Sequence, residues 1–213
     1  MNRLPVIVRQ HIAAFRALLV FTVLCGLIYP AVIAGVSQLA FHHQANGSMV
    51  SYNGHVVGSG LLCQEFADAK GNPLPQYFQP RPSAAVNSAD KTDYGCDPLF
   101  SGASNLGPNN PTLAQLIAQR QKAIAAFDHV PVSQIPPDAV TASGSGLDPD
   151  ISPQNAAIQV NRVAAARHLP VSVVRALVAT YTQGRQLGFL GEPTVNVLEL
   201  NIALDQLSAK SGG

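Results

Sequence analysis

Hydrophobic and polar positions divide the chain into two regimes. Residues 17–41, "ALLVFTVLCGLIYPAVIAGVSQLAF", are an uncharged run of 25 residues. As a helix at about 1.5 Å per residue the run extends roughly 37 Å, enough to cross a hydrocarbon core of about 30 Å with some tilt. Backbone groups in lipid need partners within their own segment, so the run predicts one transmembrane helix, with Pro30 removing a bond and kinking it. Gly26 and Gly35 offer a close approach to another helix, although their spacing is not GxxxG. A cleaved signal peptide is the competing reading, because Val32–Ala34 ends in a small residue. Its apolar core of about 17 residues exceeds the roughly 7–15 of such segments, which favours a retained anchor.

Beyond residue 42 the apolar positions become sparse and periodic. Two β-rich pieces flank Asn53-Gly54, a pair in which both residues tolerate positive φ, and predict a hairpin with strands at Met49–Tyr52 and His55–Gly58. Residues 70–111 are rich in proline and glycine and predict a long irregular segment. The aromatics Tyr77, Phe78 and Phe100 argue that it is ordered by burial, the alternative being that it orders only within a complex.

Two helix starts follow one grammar. Asn110-Pro111 and Ser152-Pro153 each place a capping side chain before a proline suited to the first helical turn. Leu113, Leu116, Ile117, Ile124 and Phe127 form the apolar face of the first helix; Ala157, Ile158, Val160, Val163 and Ala164 form that of the second, which runs to Pro170. A third helix is predicted from a Ser172 cap to Gly184. Asn196 and Glu199 have the spacing of a capping box before "LELNIALDQLSA". The expected organisation is a lead at 1–16, a membrane helix at 17–41, and a small α+β domain at 42–213, rich in helix and carrying a β-hairpin.

Charge orients this arrangement. Three basic residues precede the apolar run, while ten basic and all twelve acidic residues follow it, giving +3 and −2 on the two sides. Arg3, Arg9 and Arg16 keep the N-terminus cytoplasmic and send the domain outward. An oxidising exterior permits Cys63 and Cys96 to pair, with two free buried thiols as the alternative. The domain has too few basic residues for a nucleic-acid footprint.

The stretch "TASGSGLDPDISP" (141–153) invites three chemical readings, and none fits. A nucleophile elbow requires Gly where Ser143 stands, two positions before Ser145. A phosphate loop requires Gly-Lys, but no Lys lies between Lys122 and Lys210. Asp148 and Asp150 are too few for a calcium loop. The stretch reads instead as a shaped entry to a helix, with Gly144 and Gly146 permitting close backbone approach and the two aspartates near the positive helix end. His42 and His43, being adjacent, suit a solvated interfacial role better than one metal. Arg162, Arg167 and Arg185 either line an anion site or, preferably, pair on the surface with Asp148, Asp150 or Glu192. These residues describe a membrane-anchored accessory protein; a free-standing membrane-anchored binding domain is the reading from another class.

Four longer motifs carry a resemblance: "YFQPRPSAA" (77–85), "SGASNLGPNNP" (101–111), "TASGSGLDPDISPQNAAIQVNRVAAAR" (141–167) and "GRQLGFLGEPTVNVLELNIALD" (184–205). Together with Tyr29-Pro30 in the anchor, they closely resemble the C subunit of the Kdp potassium-transporting ATPase over nearly the whole chain. Cys63 departs from the family, which tends to have Gly before Q-x-F, and Cys96 looks peculiar to this sequence.

The resemblance implies a bacterial inner-membrane complex containing a channel-like potassium-binding subunit, a P-type ATPase subunit that uses ATP and Mg2+, and a small hydrophobic subunit, with K+ as cargo. It implies an essential C subunit with no phosphorylation site, and hence no directly bound cofactor or metal and no catalytic residue of its own. Two roles go with the family: a periplasmic cap near the potassium entrance, and a catalytic chaperone that raises the ATP affinity of the ATPase subunit. The outward domain favours the first; its −2 charge is a weak influence on cations at a screening length of about 10 Å. Candidate interface or gate residues on the matching motifs are Asn105 and Gly107; Ser143, Gly144, Ser145, Gly146 and Asp148; Gln159, Arg162 and Arg167; and Arg185, Gly191 and Glu192.

Overall fold

The helix that opens the structure is longer than the uncharged run within it. A computed structural model describes residues 5–86 and 95–211, in two units, Met1–Ser48 and Met49–Gly213. In the first, α1 (Val6–Val23), a π turn (Leu24–Ile28) and α2 (Tyr29–Ala40) form one continuous helix, followed by the short α3 (His42–Ala45). None of its long apolar side chains is buried within the chain, and Leu39 is 90% exposed. An apolar helix with nothing packed around it has its solvent in lipid. Pro30 acts through the π turn: it cannot donate to the Gly26 carbonyl, and the Tyr29 N–H bonds to Leu24, five residues back.

In the second unit β1 (Met49–Tyr52) and β2 (His55–Ser59) form the hairpin, with a bulge after Val50. Asn53 and Gly54 both have positive φ, as the sequence required. A Cβ on Gly58 would lie 2.9 Å from Leu198 Cδ2, so glycine lets the strand settle closely on the last helix. The remaining elements are α4 (Pro111–Asp128), a 3-10 turn (Val132–Gln134), α5 (Pro137–Val140), β3 (Asp150–Ile151), α6 (Pro153–Arg167), α7 (Val171–Tyr181), β4 (Thr182–Gln183), β5 (Thr194–Asn196) and α8 (Val197–Ser211). Strands β3, β5 and β4 form a small antiparallel sheet with β5 central.

The predicted caps have their expected partners. Asn110 accepts from the Thr112 N–H at 2.8 Å, Ser152 from Asn155 at 3.0 Å, and Asn196 from Glu199 at 3.1 Å. Three expectations change. Helix α7 begins without a Ser172 cap, behind Pro170, and stops at Tyr181. Thr182 and Gln183 leave the helix to pair with β5, a long-range interaction that local sequence cannot signal. Phe100 is half exposed, whereas Phe78 is fully buried. On α6, Ala157 is exposed and the buried face instead includes Asn155, Gln159 and Arg162 beside Ala156, Val160, Val163 and Ala164.

The core lies between α6, α7, α8 and the small sheet, centred on Phe78, Ile151, Val160, Val163, Val174, Val195, Leu200 and Leu204. Each such side chain contributes roughly 1.5–3 kcal/mol by leaving water. Phe78 is unusual in coming from irregular chain rather than from a helix or strand.

Candidate functional site

Segment 75–79 has no strand beside it, yet Phe78 must be buried, so its peptide groups need other partners. Side chains supply them. Asn201 on α8 clamps Phe78 from both sides, its Nδ2 donating to the Phe78 carbonyl and its Oδ1 accepting from the Phe78 N–H, each at 2.9 Å. Gln159 Oε1 accepts from the Gln79 N–H at 2.7 Å, and its Nε2 donates to the Gln79 carbonyl at 3.2 Å. Arg162 donates to the carbonyls of Pro75 and Tyr77 at 2.6 and 2.8 Å, and Arg167 to that of Gln76 at 2.6 Å.

The two arginines are charge-balanced from other elements. Arg162 Nε meets Asp128 at 2.7 Å, with both side chains 5% exposed, and the guanidinium stacks over Phe127 at 4.3 Å. Arg167 meets Asp205 at 2.7 Å and lies over the Tyr77 ring, whose hydroxyl also donates to Asp205. Burial pushes the Asp128 carboxyl up from its ordinary range, against the pull of Arg162, and pushes the Arg162 guanidinium down. The short ion pair and the two carbonyl acceptors compensate that desolvation. The expectation that Arg162 and Arg167 pair on the surface with Asp148, Asp150 or Glu192 therefore gives way to a buried pair with Asp128 and a half-buried pair with Asp205. Only Arg185 takes an expected partner, Glu192, at 2.6 Å in an exposed pair.

The 143–148 turn sits on the same irregular chain. Ser143 N–H donates to the Pro82 carbonyl, and the Ser145 carbonyl accepts from Gly102 N–H at 2.8 Å and the Ser101 hydroxyl at 3.1 Å. Ser83 Oγ donates to the Gly146 carbonyl at 2.7 Å and itself accepts from the N–H groups of Ala85 and Cys96. Gly146 has φ +74°, and a Cβ there would stand 2.6 Å from both Ala85 Cβ and the Gly102 carbonyl oxygen. Glycine is required by conformation and by space. Gly144 is exposed, with nothing within 4 Å of an added Cβ.

Both turn hydroxyls serve their own backbone: Ser143 Oγ accepts from Gly146 N–H at 2.6 Å and Ser145 Oγ from Leu147 N–H at 3.0 Å. Asp148 binds Arg81 at 2.8 Å and accepts from the Asp150 N–H at 3.1 Å, while Asp150 lies in β3 and accepts from Asn196. The acid at the start of α6 is neither of these. Asp138, from α5, accepts from the Ser152 N–H and hydroxyl and from Asn155 Nδ2. Burial raises the Asp150 pKa, with repulsion from Asp148 adding to it and bonds from Thr194 and Asn196 opposing it.

A disulfide joins Cys63 to Cys96, with Cα atoms 5.4 Å apart, beside this turn; the Cys63 N–H donates to the Leu147 carbonyl. No group of three or more potential metal ligands occurs among the described residues.

The candidate residues thus separate into two sets. Ser143, Gly146, Asp148, Gln159, Arg162 and Arg167 hold the irregular chain in place. Asn105, Gly107, Gly144, Ser145, Arg185, Gly191 and Glu192 are exposed. Sequence reasoning missed the tip between the last three: Leu187 and Phe189 are 83% and 69% exposed. The tip is a tight turn in which Gln186 and Leu190 exchange both backbone bonds at 2.9 Å, with Leu187 and Gly188 at positive φ. Its signal was "LGFL", an apolar run between glycines outside any helical or strand period.

A family profile described as "K+-transporting ATPase, c chain" matches residues 11–206. The chain is 53% identical over 205 residues to the potassium-transporting ATPase KdpC subunit of Gemmatimonas aurantiaca, covering 95% of this chain and 96% of that one. It is 50% identical over 198 residues to the KdpC subunit of Kineococcus radiotolerans, covering 93% and 94%. It is 46% identical over 200 residues to that of Mycobacterium tuberculosis, covering 93% and 99%. With one long unburied apolar helix among the described residues and a helix-rich α+β domain, the chain belongs to the KdpC family, the c chain of the K+-transporting ATPase.

Proposed function

We propose that this subunit acts from the periplasmic face, docking its domain on the channel-like subunit and shaping potassium entry, while ATP and Mg2+ are used in the P-type ATPase subunit. The observation that carries the orientation is the arginine asymmetry: Arg3, Arg9 and Arg16 precede the uncharged run, and no Lys or Arg follows until Lys70. A domain held outside cannot touch nucleotide bound inside, which sets this reading above the ATP-affinity chaperone. A supporting role fits the commitment of both Ser143 and Ser145 hydroxyls to their own turn. The anchor helix packs among the membrane helices of the complex, the small hydrophobic subunit included. Docking uses the exposed set, with Leu187 and Phe189 as apolar anchors on a backbone-braced turn.

Photo-crosslinking in the assembled complex tests this. p-Benzoylphenylalanine at Phe189 is expected to give an adduct with the channel-like subunit, and the same probe at exposed Ala123 on α4 none. An adduct of the Phe189 probe with the ATPase subunit's nucleotide-binding region instead would reverse the order of the two roles.

A further inference from the structure

Between α4, the proline-rich segment and α6 lies a cleft of about 660 Å³ that the potassium-entry reading does not use. Ile124 and Phe127 from α4 and Pro73, Pro80 and Pro82 from the irregular chain form its apolar walls. A cavity of this size and character fits a small organic molecule.

Its polar groups are mostly committed elsewhere. Gln79 Nε2 donates to the carbonyls of Phe66 and Leu74, Gln159 bonds to Gln79, Asn155 and Arg162, and Asp128 is paired with Arg162. Two guanidiniums are the exceptions. Arg81 spends one nitrogen on Asp148, and its buried Nε has no hydrogen-bond partner among the described residues. Arg120 donates to the Val140 carbonyl at 2.9 Å and pairs with no carboxylate among the described residues. Burial pushes the Arg120 guanidinium down from its ordinary value, the direction that an added counter-anion reverses.

We infer that this cleft binds a small monocarboxylate with a compact apolar body, its carboxylate received by Arg120 and Arg81 and its body lying against Ile124, Phe127 and the prolines. A single negative charge follows from the pairing, because Arg81 is already matched by Asp148 and Asp128 by Arg162, which leaves Arg120 as the lining guanidinium without a carboxylate among the described residues. With one positive charge to match and Glu65 and Asp128 also in the lining, a dianion such as a phosphate monoester meets repulsion that a carboxylate largely escapes.

The test uses the full chain in uncharged lipid nanodiscs, with empty nanodiscs subtracted, and benzoate as the probe in saturation-transfer NMR titrations. Benzoate is expected to bind saturably, with benzamide and benzyl phosphate at least about fivefold weaker. Arg120→Gln is expected to weaken benzoate by a similar factor. Ala123→Phe, on an exposed position of α4 that lines the cleft, fills it and abolishes binding while leaving both arginines in the sequence; it carries the test if Arg120→Gln fails to fold by circular dichroism. Absence of saturable benzoate binding, equal binding of benzamide, stronger binding of benzyl phosphate, or unchanged affinity in folded variants would each overturn the inference.

Discussion

Gly144 and Gly146 lie two residues apart in one turn, and the structure assigns them opposite sensitivities. An alanine Cβ at Gly146 must accept φ +74°, which costs a side-chain-bearing residue about 1–2 kcal/mol. It must also fit 2.6 Å from the Gly102 carbonyl oxygen and 2.8 Å from the Ala85 backbone nitrogen, atoms that cannot swing aside as a side-chain tip would. Overpacking of that kind adds about 1–3 kcal/mol. Gly146→Ala is therefore expected to lose about 3 kcal/mol; at about 2–4 °C per kcal/mol for a chain of this size, the thermal midpoint falls by roughly 10 °C. Gly144→Val meets open space and is expected to stay within about 0.5 kcal/mol of the parent, as surface changes do. Thermal unfolding of the purified full chain, followed by circular dichroism, reads both. A Gly146→Ala midpoint within about 2 °C of the parent would refute the packing argument. Impaired potassium-limited growth with Gly144→Val, despite its normal midpoint, is the outcome expected of a partner-facing residue; normal growth would remove Gly144 from the docking surface.

Three further perturbations follow from the buried groups. Opening the Cys63–Cys96 bridge, which spans a sequence separation of 33, should cost about 4 kcal/mol on the loop-closure scale and lower the urea midpoint; identical unfolding of Cys96→Ser and parent would count against the bridge. Arg162→Met and Asp128→Asn should each cost about 3–5 kcal/mol, and their combination clearly less than the sum, because each single change leaves a buried charge unpaired; strict additivity in denaturant unfolding would contradict the pair. For Asp150 the folded-state pKa lies above the unfolded one, so protonation favours the fold, and this contribution is lost as pH rises through the folded value. Asp150→Asn should accordingly gain stability relative to the parent between pH 4 and 7 in thermal melts, and a gap that narrows with pH would reverse the sign.

Local signals were legible wherever a few neighbouring residues decide the outcome. Asn53-Gly54 specified the hairpin turn, and Asn110, Ser152 and Asn196 marked helix starts because a cap acts within three residues of itself. The β3-β5-β4 sheet was not legible, since strands of two and three residues are too short to leave a period. Gln159 and Arg162 read as interface candidates, with Arg162 pairing on the surface, because their actual partners Gln79, Pro75, Tyr77 and Asp128 are 34 to 87 residues away in sequence. The same holds for Asp138, which supplies the negative charge at α6 from an element that no helix-start rule inspects. Of the candidate residues, the sequence could name the motif that held them, but only the packing separated Gly146 from Gly144.

The side of the membrane on which the domain stands is the claim that everything functional rests on. The direct measurement is protease digestion of intact spheroplasts carrying a C-terminal epitope tag, with a cytoplasmic marker followed in parallel and lysed cells as the control for cleavability. Loss of the tag while the marker survives is the predicted result. Protection of a cleavable tag until lysis would place the domain inside, contradict the potassium-entry role, and make direct action on the ATP-binding subunit the leading account.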